Sequence, residues 1–301
     1  MWLFVSLVGY FLLALVFVLD KKILTSNVQS PVVYTFYSTI FMFAAFLVYP
    51  FGVERLLGID MVIALISGLT FGFAMWTMFI AVQKGEASHI DPFIGGIVTI
   101  ATFVLSSHFL GESLNELQML GIGVLLLASF LLSFEKSQKH SGFHTGFAWA
   151  VFSGVLFAIS HVSAKYVYVM YDFVSGFVWT KGLVGIVGII ALCNPKVWKS
   201  FRRSKRGTMK WKKQKDTVVL VTVDKILGVL GVVCIQYASA LGNTAPVFAL
   251  SGIQFVFMFV MIFVVTKVQP RIFREFFTRR ELVIQSLAIF LVVVGTALFV
   301  L

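Results

Sequence analysis

Ten apolar runs follow one another along this chain, at 2–20, 31–50, 61–82, 88–110, 117–134, 146–169, 173–193, 217–240, 245–266 and 282–300. A helix needs about 20 mostly apolar residues to cross a hydrocarbon core about 30 Å thick, and each run has roughly that length. The pattern excludes an ordinary soluble domain: only 12% of the 301 residues are charged, about half the usual share of about 25%. The 33 Phe and 24 Gly suit helices that pack closely in lipid. The first run has no basic stretch before it and no small-residue cleavage site after it. Lys21 and Lys22 follow the run instead, so it is expected to be a retained membrane helix. The expected fold class is an all-α integral membrane protein with ten transmembrane helices.

The chain also resembles itself. "MFIAVQKGEAS" (78–88) lies over "IQYASALGNTA" (235–245), bringing Ala81 onto Ala238 and Gly85 onto Gly242. "VFVLDKKIL" lies over "ISHVSAKYV", pairing Lys21 with Lys165, and the fifth and tenth helices align with Ala128 on Gly295. The common order of the three pairings predicts a tandem repeat: 1–134, a linker at 135–145, then 146–301. Five helices per repeat is odd, so the second half enters the membrane in the opposite sense. That is the inverted-repeat plan of secondary transporters, with a binding site near the midplane where the halves meet.

"FLGESLNELQMLGIGVLLLASFLLSF" (109–134) resembles the segment that closes each repeat of EamA-type members of the drug/metabolite transporter superfamily. There a Leu-Gly-Glu follows the fourth helix, and the fifth helix carries a Gly and a small residue seven positions on. Gly111, Glu112, Gly121 and Ala128 fit that pattern. The resemblance covers essentially the whole chain, although no Leu-Gly-Glu precedes the tenth helix, where Arg279 stands opposite Glu112. It implies a membrane transporter and leaves the cargo open, because members of the family move amino acids, nucleotide sugars and many other metabolites.

Charge placement predicts orientation. Of the 24 Lys and Arg, twenty lie on odd-numbered connections, three (Lys165, Lys181, Lys225) within helices, and only Arg55 on an even one. The positive-inside rule then puts the basic connections in the cytoplasm of a multi-pass cell-membrane protein, with both termini outside. The family resemblance implies cytoplasmic termini instead; the charge bias is the stronger guide. The basic stretch 196–215, with Trp198 and Trp211, suits anionic lipid headgroups better than nucleic acid.

Three charges lie deep. Asp224 is seven residues beyond Thr217, about 10 Å into its helix, and Lys181 is about 12 Å in from the opposite face. A charge there costs about 2.5–3.5 kcal/mol on insertion scales and normally faces the bundle interior or water and finds a partner. Two arrangements satisfy that. In one, Lys181, Asp224 and Lys225 meet in a central polar site, with Asp224 on Lys181 and Lys225 left for an anionic group of the cargo. In the other, the charges form a structural ion pair between the seventh and eighth helices. Adjacent residues point about 100° apart on a helix, so Asp224 and Lys225 are not expected to share one narrow spot.

His161, Trp76, Tyr237 and Gln254 complete the expected substrate-binding set, as polar or aromatic groups at interior levels. Lys165, one turn from His161, reads as a lysine reaching to the interface. Asp91 and Glu112 read as helix-end groups. His140 and His144 have helical spacing but no third ligand nearby, and Cys193 and Cys234 have no metal-ligand spacing, so no metal or other cofactor is expected. No phosphate loop occurs, which leaves ATP-driven pumping unsupported. The favoured function is secondary transport of a small polar or amphipathic metabolite, an amino acid or related carboxylate first; the sequence leaves the coupling ion open, with protons one candidate. The rivals are a membrane-embedded enzyme using Asp224 or His161 as a base, which needs a second catalytic group, and a non-transporting lipid-binding protein.

Overall fold

A computed structural model of the protein describes residues 1–26, 30–84, 87–133, 145–204, 211–268 and 279–298. The linker 135–145, apart from its last residue, lies outside them, with His140, His144, Lys136 and Lys139. So do Gly85, Lys205, Lys210 and the connection 269–278, as well as the side chains of Lys21 and Lys22.

The described residues are helical, with no strand among them. They form α1 (Trp2–Ser26), α2 (Pro31–Ile40), a 3-10 helix (Phe41–Phe51), α3 (Ile59–Lys84), α4 (Ala87–Phe109), α5 (Glu116–Ser133) and α6 (Thr145–Met170). α7 (Phe173–Gly182), α8 (Gly185–Leu192), α9 (Pro195–Ser204), α10 (Trp211–Leu241), α11 (Thr244–Ala249), α12 (Ser251–Val268) and α13 (Arg279–Ala297) follow. Among the described residues, eight stretches are long and apolar enough to cross a membrane; α5 and α13 contribute shorter apolar stretches, Glu116–Leu131 and Ser286–Ala297.

Three expected helices are broken. The run 31–50 changes from α-helix to 3-10 helix at Phe41, 173–193 is interrupted between α7 and α8, and 245–266 between α11 and α12. The first two breaks have one cause. A 3-10 helix has 3.0 residues per turn, so residues three apart fall in one row. Ile40, Phe43 and Phe46 form such a row, and it meets Gly188, Gly185 and Gly182 on α7–α8. A Cβ on Gly185 would come within 2.5 Å of the Phe43 ring, one on Gly182 within 2.6 Å of Phe46, and one on Gly188 within 2.9 Å of the Ile40 backbone. Only glycine admits that approach. The join between α7 and α8 is itself tightened by i→i+3 bonds, Val184 N–H to the Lys181 carbonyl and Val187 N–H to that of Val184.

α1 packs along α10, α6 lies between α3 and α4, α5 pairs with α13, and α2 with α8. Hydroxyls stitch the middle of the bundle: Ser67 Oγ donates to the Ser160 carbonyl at 2.9 Å and Ser160 Oγ to that of Ser67 at 2.8 Å. Phe11, Val62, Val104, Phe152, Leu230 and Phe290 point outward, whereas Ser153, Thr102 and Ser106 are fully buried. Ser153 Oγ donates to the Ala74 carbonyl at 2.9 Å; apolar residues outside and polar groups inside are what a hydrocarbon solvent selects.

At the end of the bundle where α3 begins and α6 ends, polar side chains tie the connections together. Asp60 accepts from the Tyr166 hydroxyl at 3.0 Å and the Tyr171 hydroxyl at 2.8 Å. Glu112 accepts from the backbone N–H of Thr244 at 2.9 Å and from its hydroxyl at 2.9 Å, satisfying an orphan donor at the start of α11. Lys165 does more than reach for an interface. Its Nζ donates to the carbonyls of Ser239 (2.7 Å), Ala240 (3.2 Å) and Gly242 (2.8 Å), capping the end of α10.

Candidate functional site

A cavity of about 340 Å³ lies between α1, α2, α3, α4, α6, α10, α11 and α12. Apolar and aromatic side chains dominate its wall, among them Phe71, Met75, Met78, Phe79, Phe157 and Phe248. Four of the seven residues expected at a binding site are on that wall: His161, Asp224, Lys225 and Gln254. Lys181, Trp76 and Tyr237 are not.

Lys181 is 1% exposed and sits behind the wall, its Nζ 4.0 Å from the centre of the Phe71 ring. Nζ has no hydrogen-bond partner among the described residues. Trp76 stacks on Phe73 with centroids 6.3 Å apart and packs against the cluster of Val32, Val33, Phe36, Ala191 and Val197. Tyr237 is 37% exposed and meets Phe173 edge-on at 5.0 Å.

The expected pairing of Lys181 with Asp224 is replaced by a local one. Lys225 Nζ lies 3.0 Å from Asp224 Oδ2. The two Cα–Cβ bonds do diverge, but the four-carbon lysine stem is long enough to bend its head back to its neighbour. The same ammonium lies 3.3 Å from the Tyr34 hydroxyl and over the Tyr34 ring at 4.9 Å. Asp224 is completely buried, and the ion contact is not angled as a hydrogen bond, so neither carboxylate oxygen has one among the described residues.

Sequence reasoning passed over several polar lining residues, Asp91 and Gln236 among them. Asp91, read as a helix-end group, is 6% exposed and on the cavity wall. Gln236 is on the wall, while its neighbour Tyr237 is not. The signal was present in the helical period. Eleven residues separate Lys225 from Gln236, about 20° of rotation at about 100° per residue, against about 120° for Tyr237. Lys225, Val229, Val232 and Gln236 therefore share a face of α10, and all four line the cavity.

The cavity has two ends. His161 and Gln236 meet at its floor, where Gln236 Nε2 lies 3.2 Å from His161 Nδ1. Asp224 and Lys225 lie 12 and 11 residues earlier on α10, about 17 Å along the axis at about 1.5 Å per residue. Asp91, near the start of α4, lies toward the same end as that pair. The charged groups thus lie toward the end of the bundle with the basic connections, and the neutral donors toward the clasped end.

Residues 1–134 match the model of the EamA-like transporter family. Over those residues the chain is EamA-like. The matched stretch includes the segment around Gly111 and Glu112 that carried the resemblance. A solved structure titled only "Crystal structure of protein" has the same fold, with a TM-score of 0.66 at 16% identity, over 99% of this chain and 98% of that one. No curated protein matches the sequence. The EamA-like match and the membrane-length helices make this a membrane protein, and a transporter of the drug/metabolite type is the function the family suggests.

Proposed function

We propose that the chain is a secondary transporter that moves a small amphipathic metabolite, an amino acid or related carboxylate before others, by alternating access. The observation that carries the reading is the cavity itself. Its volume of about 340 Å³ falls within the about 300–1,000 Å³ of ligand pockets, and its largely apolar wall with a few polar groups is the usual composition of a small-molecule site. The charged end has Asp91, Asp224 and Lys225 to meet an ammonium or a carboxylate, with His161 and Gln254 deeper. Lys181 belongs to this reading as the ammonium behind Phe71, reached when that ring moves.

The domain reading is two five-helix repeats, 1–134 and 146–301, of opposite orientation about the 135–145 linker. The packing supports it. If α1 corresponds to α6 and α3 to α10, the pairs α3–α6 and α1–α10 exchange with each other, while α5–α13 corresponds to itself. A two-fold relation between the halves produces that pattern, and it is the plan that lets one repeat rock against the other. The basic connections then lie in the cytoplasm, the cavity faces them, and the clasped end faces outside. The stretch 196–215 rests on anionic headgroups of the inner leaflet. An enzyme reading finds less support, because among the described residues Asp224 meets only the Lys225 ammonium, at 3.0 Å, which holds the carboxylate in an ion contact.

The test is uptake into proteoliposomes of a metabolite panel that includes amino acids, their amines and their carboxylates, with and without a pH gradient. Saturable accumulation of an amino acid or carboxylate, enhanced by the gradient, is expected. Equal entry into protein-free liposomes for the whole panel refutes transport.

A further inference from the structure

His161 is held by a buried hydrogen-bonded chain that runs through three helices. The Thr180 hydroxyl on α7 donates to the Gly176 carbonyl at 2.7 Å. The Tyr168 hydroxyl on α6 donates to Gln236 Oε1 on α10 at 3.1 Å, and Gln236 Nε2 lies 3.2 Å from His161 Nδ1. The shorter contacts favour one order of donors. With the Gln236 amide reversed, Tyr168 would have to donate to Thr180 Oγ1 across 3.4 Å instead. In that order the amide NH₂ faces Nδ1 and only donates, so Nδ1 accepts and the ring proton is on Nε2.

The ring is also fixed in plane. It stacks on Phe248 at 3.8 Å and on Phe157 at 6.0 Å with an interplanar angle of 7°. It is 7% exposed and forms part of the cavity wall, and no described residue bonds to Nε2. Resting on the transporter reading, we infer that His161 Nε2–H is the donor that receives an oxygen acceptor of the cargo, a carboxylate or carbonyl, at the floor of the cavity. The charges of Asp224 and Lys225 are about 17 Å away along α10, so a small cargo does not touch both ends at once. The floor therefore presents a neutral donor to an acceptor, with the Lys181 ammonium behind the Phe71 ring favouring an anionic one, and the phenyl rings beside it hold an apolar body. A cargo with only an ammonium group leaves the Nε2–H unpaired and is disfavoured by the cost of that unmade bond.

Three probes separate the possibilities: 3-phenylpropanoate, L-phenylalanine and phenethylamine, each measured by binding to the purified protein in lipid and by uptake. His161→Phe keeps the ring stack and removes the donor; His161→Gln keeps a donor. The two carboxylates are expected to bind wild type at least about 10-fold more tightly than phenethylamine, and His161→Phe to erase that difference. His161→Gln should restore part of it. Nitrogen-15 spectra should show a neutral His161 protonated at Nε2, with that signal moved by 3-phenylpropanoate and unmoved by phenethylamine.

A proton on Nδ1, a charged ring, or carboxylate binding that His161→Phe leaves intact overturns the inference and spares the transporter reading. If no panel member is transported but 3-phenylpropanoate still moves the Nε2 signal, transport fails and the donor assignment stands. If that signal does not move, the assignment fails whatever is transported.

Discussion

Asp224 and Lys225 show how far a single residue's environment can be read from its neighbours. That two charges in an apolar run need partners was legible, because burial of an unpaired charge is costly in any such chain. Which partner each takes was not legible, because it depends on the reach of a lysine stem. Lys225 bends to Asp224 at 3.0 Å, and Lys181 is left on the Phe71 ring. The arrangement makes an asymmetric prediction. Lys225→Met strands the fully buried Asp224 carboxylate, and the yield of monodisperse folded protein should fall. The cost should be under the about 3–5 kcal/mol of breaking a wholly buried pair, because Lys225 is 35% exposed. Adding Asp224→Asn to Lys225→Met should recover most of the yield. A double variant that is worse than Lys225→Met alone would show that Asp224 has a partner other than Lys225.

At the scale of elements, the spans were legible and their interruptions were not. Hydropathy reports only that a segment is apolar and long enough, and that holds equally for α-helix and 3-10 helix. The clue to the break in 31–50 lay in the other half of the chain, in the three-residue spacing of Gly182, Gly185 and Gly188 opposite Ile40, Phe43 and Phe46. Gly185→Leu should therefore be severe, since its Cβ alone would meet the Phe43 ring at 2.5 Å. Overpacking of this kind costs about 1–3 kcal/mol or more, and thermal unfolding in detergent should register it. Gly123→Leu is the control, because nothing lies within 4 Å of a Cβ there, and it should leave the midpoint within a degree or two. Comparable losses at both positions would refute the row-to-row packing. Glu112 was legible as a structural group from its place after the fourth helix. That it serves α11, 132 residues away in sequence, was visible only in three dimensions.

The whole molecule is clasped at one end and hollow toward the other. Lys165 holds the last carbonyls of α10, Glu112 holds the first turn of α11, and Asp60 joins α3 to Tyr166 and Tyr171. Lining residues run from His161 and Phe248 at the floor to Asp91, Asp224 and Lys225 toward the basic connections. On the proposed transporter reading, this state admits cargo from the basic side, and opening to the other side requires the clasp to release. Lys165 is the member whose loss frees the most, because one ammonium satisfies three carbonyls. With Cys193 and Cys234 replaced, Met42→Cys puts a single thiol on the cavity wall. A membrane-impermeant maleimide should label it in inside-out vesicles and hardly at all in sealed right-side-out cells. Lys165→Met should raise labelling from outside several-fold and lower it from inside, as the population shifts away from the clasped state. A thiol that in the Lys165-intact protein reacts from outside reverses either the orientation or the assignment of the closed end. Fusion reporters at Lys205 and Asn243 distinguish the two, since only the first moves both reporters across the membrane.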